Sequence, residues 1–225
     1  MNQLQLILRR KIECHPTLFE LCYKYTGKSP DLLASNDTDL VLEGFPRSAN
    51  TYSLYAFYNS QSEKMKIRGH THSPGNVLLA LKYNVPTCVL IRKPHDAVKS
   101  LLVRNPQYNQ DQVMNLYLSF YDILLPRKDD FVIAKFEEAT EDFNKVINRL
   151  NKKYLKQFGY LSDDEKTRTN IAESLKARNG NRGLKYSYTP DSEREYLKAS
   201  VKITNHKLLS TCNKLYELFT TKDRD

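Results

Sequence analysis

Two histidines stand two residues apart in Gly69-His70-Thr71-His72-Ser73-Pro74. On an extended strand, positions i and i+2 point to the same side, so the pair reads as a metal couple, a base with a helper, or two polar surface residues. The metal alternative lacks an Asp, Glu or Cys partner recurring at ligand spacing. As a base, an imidazole with a pKa near about 6.5 accepts a proton at neutral pH, and general-base help is typically worth about 10²–10⁴ in rate. Upstream lies Gly44-Phe45-Pro46-Arg47-Ser48-Ala49-Asn50-Thr51-Tyr52, between an apolar run and a helical pattern. A loop at a helix N-terminus offers backbone N–H groups and a positive dipole end, and Arg47, Ser48, Asn50 and Thr51 add donors suited to a phosphate. It is not a Walker loop, which needs a second glycine and a lysine. Spacing alone leaves a capped strand-to-helix turn and an anion site equally open.

Two further segments carry charge at suggestive positions. In Arg92-Lys93-Pro94-His95-Asp96-Ala97-Val98-Lys99-Ser100, an arginine ends an apolar run and a serine follows eight residues later. The two can converge on one anion, or they are an exposed arginine and a solvent-facing serine. Arg178-Asn179-Gly180-Asn181-Arg182-Gly183 reads by itself as a flexible basic loop.

The elements that must position these residues alternate. Leu40 to Phe45, Thr87 to Arg92 and Phe131 to Ala134 are apolar runs of strand length, and helical patterns follow over Thr51 to Asn59, His95 to Val103 and Asp142 to Phe158. Asn76 to Tyr83 is a further helix, Leu4 to Tyr25 holds one or two short helices broken at His15-Pro16, and Asp191 to Phe219 has a helical pattern. Strands alternating with helices predict an α/β fold of three α/β/α layers, with a central, mainly parallel sheet covered on both faces. Phe136-Glu137-Glu138, after the third strand, is read as structural.

Composition narrows the partners. The 225 residues, 40% hydrophobic and 27% charged, suit one globular domain rather than a disordered chain. The net charge of +9 favours anionic partners, but the basic residues form no dense run, so nucleic acid is not expected. Cys14, Cys22, Cys88 and Cys212 lack paired zinc spacing and read as reduced thiols. No stretch approaches the roughly 18 apolar residues of a membrane span, and Met1 to Lys11 has the wrong charge order for a signal peptide, so a cytoplasmic location is expected.

Taken together, the four segments resemble the family of sulfotransferases that use PAPS (3′-phosphoadenosine 5′-phosphosulfate). Phe45 to Tyr52 is similar to that family's donor loop nearly position for position, with Tyr52 where tryptophan is usual. The spacing of Arg92 and Ser100 resembles its clasp on the 3′-phosphate. Thr71 and Pro74 align the histidine segment so that His72 falls on the family's catalytic base and His70 on its lysine position. Arg178, Gly180 and Gly183 fall on the fixed positions of its closing loop, with Asn179 in place of a lysine. The resemblance implies a P-loop NTPase-like fold and transfer of a sulfuryl group from PAPS, with release of PAP and no metal. The acceptor would be a hydroxyl on a glycan or a small molecule. It implies His72, Arg47 and His70 as catalytic residues, and Arg47, Ser48, Ala49, Asn50, Thr51, Tyr52, Arg92, Ser100, Arg178, Asn179 and Gly180 as donor-binding residues. One domain would then cover 1–225, with a donor-binding core at 39–190 between helical segments at 1–38 and 191–225. A P-loop-type kinase or NTPase and a non-catalytic anion- or glycan-binding module are the competing readings.

Overall fold

The computed structural model describes residues 3–27, 29–180 and 192–221. Four strands, β1 (Leu40–Gly44), β2 (Ile67–Gly69), β3 (Thr87–Ile91) and β4 (Val132–Lys135), form one sheet in the order β2-β1-β3-β4. Every pairing is parallel. The α/β class expected from the alternation is the class observed, with helices on both faces. Residues of β1 and β3 alternate between the two layers because successive strand side chains point to opposite faces. Leu42, Cys88 and Leu90 pack with Phe57, Val146, Ile147 and Leu150 on one side, whereas Val89 and Ile91 pack with Val98, Tyr117, Tyr121 and Phe219 on the other. Burial on both sides is why these strands read as unbroken apolar runs.

The first side is built by α3 (Asn50–Ser60), α7 (Phe136–Glu141), α8 (Phe143–Tyr154) and α9 (Glu165–Asn179). The second carries α2 (Pro16–Lys24), α4 (Pro74–Lys82), α5 (Pro94–Arg104), α6 (Gln110–Leu124) and α11 (His206–Thr220), with α1 (Gln3–Glu13) and α10 (Ser192–Ser200) at its margin. In α8, Phe143, Val146, Ile147 and Leu150 recur at the spacing of one helical face, and all four are buried. That helix stops at Tyr154, where Leu155 turns left-handed with φ 51°, four residues before the end expected from sequence. The C-terminal pattern resolves into α10 and α11, separated at 201–205.

Four elements fall outside the runs and patterns expected from the sequence: helices α7 and α9, and two that frame the site. The short edge strand β2 ends the run Lys64-Met65-Lys66-Ile67-Arg68, in which charged and apolar residues alternate at strand period. Its Gly69 has φ 146°, and a Cβ there would lie 2.0 Å from the Leu42 carbonyl oxygen, so only glycine lets β2 leave β1 at this point. The other is α6, which opens with a capping box between Asn109 and Gln112 and buries Val113, Met114, Tyr117, Phe120, Tyr121 and Leu124. Its tyrosines grip the end of β3: Tyr121 donates to the Leu90 carbonyl at 2.8 Å and Tyr117 to the Arg92 carbonyl at 2.9 Å. Among the described residues, no helix is long and apolar enough to cross a membrane.

Candidate active site

The four strands end at one edge, where an open parallel sheet forms its crevice. There lies a cavity of about 920 Å³, whose wall includes Arg47, Ala49, Asn50, Thr51 and Tyr52 after β1, His70, Thr71 and His72 after β2, Arg92 after β3, and Phe136 after β4. Arg178, near the end of α9, and Thr140 of α7 also line it. Residues from three of the four segments singled out in the sequence therefore meet at this wall, and the fourth meets them through Arg178. The rest of that fourth segment, from Asn181 through Arg182 and Gly183, lies outside the described residues.

The loop after β1 is shaped by its own backbone. Arg47 (φ 73°) and Ala49 (φ 69°) are left-handed, and Asn50 closes the loop by donating from Nδ2 to the Phe45 carbonyl at 3.1 Å. Ala49 is the N-cap of α3 and supplies no capping side chain, so the positive end of that helix faces the loop. Arg92 donates to the Arg47 carbonyl at 3.2 Å, and Arg47 Nε donates to Ser100 Oγ at 3.0 Å. The arginine after β3 thus holds the loop after β1, whose own arginine is held by α5. The Arg92 guanidinium also lies 3.8 Å from the centre of the Phe136 ring, a cation–π contact. Burial lowers the Arg92 pKa, opposed by the charges of Asp96, Glu137 and Glu195, yet an arginine stays a cation.

Ser48 and Ser100 are completely buried and, among the described residues, do not reach the cavity wall, nor do Asn179 and Gly180. Ser100 is neither solvent-facing nor at the surface of the crevice; it stands behind Arg47. The histidine segment also departs from its expected form. His70 (φ 63°) and His72 (φ 51°) are both left-handed, so the segment is not an extended strand. The rings nonetheless come within 5.8 Å of each other, tilted by 58°. His70 Nε2 shares a hydrogen bond with Thr51 Oγ1 at 3.2 Å. Burial, then the neighbouring His72 and Arg178, push its pKa down to about 3, so His70 is neutral at neutral pH and supplies no charge where the resembling family has lysine. His72 Nδ1 lies 3.0 Å from the Gly44 carbonyl, which can only accept, so Nδ1 carries the proton and the lone pair of the neutral ring is on Nε2.

Two side chains with a part in this site were not singled out in the sequence. Phe136 was read as structural, yet it forms wall beneath Arg92. Glu43, on β1, is completely buried and accepts hydrogen bonds from the histidine segment. Its signal was present: an acidic residue inside an apolar run that the fold buries on both faces is unusual. Among the described residues, no group of three or more His, Cys, Asp or Glu side chains is placed to hold a metal ion.

No family model and no curated protein sequence matches this chain. Among solved structures it is similar to mouse sulfotransferase SULT7A1 complexed with PAP, at 13% identity and a TM-score of 0.46, over 83% of this chain and 86% of that one.

Proposed function

We propose that this protein is a sulfotransferase that moves a sulfuryl group from PAPS to a hydroxyl of a carbohydrate or a hydroxylated small molecule, releasing PAP. The observation that carries this reading is one convergence. A left-handed loop at a helix N-terminus, two arginines linked through that loop, and a histidine held in one tautomer all border a single cavity.

The loop side suits a polyanionic nucleotide. Left-handed residues at 47 and 49 make a concave backbone of the kind that gathers N–H groups around an anion, and Arg47, Arg92 and Arg178 add permanent charge to the wall. Tyr52 and Phe136 offer ring surface beside them. As donor substrate, PAPS supplies a sulfuryl group on a phosphate leaving group. His72 takes the acceptor's hydroxyl proton at Nε2 as that oxygen bonds to sulfur, which raises its nucleophilicity when it is needed. Arg47 stabilises the negative charge that the departing phosphate oxygen gains. His70, neutral, hydrogen-bonds and does not act as a cation.

Thermal unfolding with PAP, and separately with ATP and Mg²⁺, is the first test. A ligand present at about 100 times its Kd stabilises by about 2.7 kcal/mol, a readily measured rise in Tm. PAP is expected to raise Tm and ATP is not. The second stage incubates the protein with PAPS and a panel of phenols, monosaccharides and glycolipids, with mass spectrometry of the products. Stabilisation by ATP equal to that by PAP, or no sulfated product from the panel, overturns the proposal.

A further inference from the structure

Glu43 is a carboxylate with no exposed surface and no ion-pair partner among the described residues. Burying an unpaired charge costs several kcal/mol unless hydrogen bonds replace its water. All of its hydrogen bonds come from one short stretch of chain. Thr71 donates to Oε1 twice, from its backbone N at 2.8 Å and its hydroxyl at 2.5 Å; Asn76 Nδ2 donates to the same oxygen at 3.2 Å; and the backbone N of His72 donates to Oε2 at 3.2 Å. Burial pushes the carboxyl pKa up to about 7, while these four donors pull the other way.

The arrangement has a specific consequence for the histidine. The stretch presents two successive N–H groups, a hydroxyl and an amide, which are four donors, and a carboxylate is the side chain that only accepts. It draws the backbone of Thr71 and His72 toward β1 in the left-handed turn that flanks them. The next residue of β1, Gly44, accepts from His72 Nδ1. Two consecutive strand residues therefore hold one histidine, Glu43 by its backbone and Gly44 by its ring. A strand chosen for packing alone has no reason to put a charge here, since a buried amide or apolar side chain avoids the desolvation.

We infer that Glu43 is the positioning residue for His72, fixing its backbone so that Nδ1 stays on the Gly44 carbonyl and Nε2 presents its lone pair to the cavity. As a role in catalysis this rests on the proposed sulfuryl transfer; as a statement about His72 it does not. Glu43 touches neither acceptor nor donor in this scheme and acts through the histidine. A carboxamide in its place accepts on one side only and turns an NH₂ group toward either the Thr71 or the His72 N–H.

The test compares wild type, Glu43→Gln, His72→Ala and the double variant. Rates are measured with PAPS and the acceptor turned over fastest in the panel above, and binding with PAP. Glu43→Gln is expected to lower kcat about 10- to 100-fold with the Kd for PAP within about twofold. In the His72→Ala background it is expected to lower the rate no further, because two residues acting through one group are not additive. An equal loss in both backgrounds, or kcat within twofold of wild type, overturns the inference. Nitrogen NMR of labelled imidazole gives a readout independent of turnover: wild-type His72 is expected as the single Nδ1–H tautomer and Glu43→Gln as a mixture. An unchanged His72 spectrum in Glu43→Gln overturns the inference even where PAPS proves not to be the donor. If Glu43→Gln does not fold, Thr71→Val removes one donor to Glu43 with little change of shape. It is expected to lower kcat about three- to tenfold at unchanged PAP affinity, and no loss overturns the inference.

Discussion

Replacing Ser100 by alanine deletes one oxygen that never reaches the cavity, yet the structure makes it a test of the whole anion site. Ser100 is completely buried on α5 and accepts from Arg47 Nε at 3.0 Å. A hydrogen bond to a charged group is worth about 1.5–3 kcal/mol. At 1.4 kcal/mol per factor of ten, PAP affinity is expected to fall about 10- to 100-fold if the bond serves to aim the guanidinium. Isothermal titration with PAP measures this directly, and thermal unfolding checks that the fold survives. Arg47→Met completes a double-mutant cycle, since in its background Ser100→Ala is expected to change PAP affinity less than twofold. A Kd for PAP in Ser100→Ala within twofold of wild type would refute the reasoning, as would full additivity of the two changes.

Other expectations follow from the same geometry. His72→Ala is expected to lower kcat about 10²–10⁴-fold with PAP affinity within twofold, measured by titration and by product formation; full turnover removes His72 as the base. Gly69→Ala places a Cβ 2.0 Å from the Leu42 carbonyl oxygen at φ 146°, so a loss of about 3 kcal/mol or more, or failure to accumulate folded protein, is expected in urea unfolding. His70, with a folded pKa of about 3 against 6.5, contributes stability that is present above pH 6.5 and lost as pH falls toward 3. Glu43, at about 7 against 4.5, contributes stability that is present below pH 4.5 and lost as pH rises through 7. The two slopes oppose each other between pH 4.5 and 6.5. Glu43→Gln is therefore expected to gain about 1–2 kcal/mol more stability than wild type between pH 5 and 6.5, measured by urea unfolding at both; parallel curves refute the assignment.

The parallel core was legible because strands buried on both faces have no polar alternation to obscure them, as in Thr87–Ile91. Strand β2 left only the short alternation Lys64-Met65-Lys66-Ile67-Arg68, in which two apolar residues stand among three charged ones. Helix α6 was legible in principle: its apolar spacing and its Asn109-to-Gln112 capping box are both in the sequence. In the site, residue type and spacing left Arg47, Arg92 and the His70–His72 pair as candidates beside plainer alternatives, and only the resemblance to the PAPS-using family singled out His72 and Arg178. What spacing did not reveal was how they are held. His70 and His72 are left-handed, and the Thr71 and His72 N–H groups beside them donate to Glu43, far upstream, a contact that no local pattern encodes. Ser100 is expected from sequence on the anion beside Arg92 or at the surface; it stands behind Arg47 instead, because only the packing of α5 shows which arginine it serves. Phe136 passed as structural because its partner, Arg92, lies on a different strand end.

The left-handed backbone also sets terms for laboratory evolution. Six described non-glycine residues have positive φ, and four of them, Arg47, Ala49, His70 and His72, lie in the two loops that border the cavity. Each costs about 1–2 kcal/mol relative to glycine in that region. A screen that rewards heat resistance alone therefore favours glycine at Ala49, whereas at Arg47, His70 and His72 glycine also removes the hydrogen bonds to Ser100, Thr51 and Gly44. Thermal tolerance thus has one easy route through these loops, and it leaves the arginine and the histidines in place.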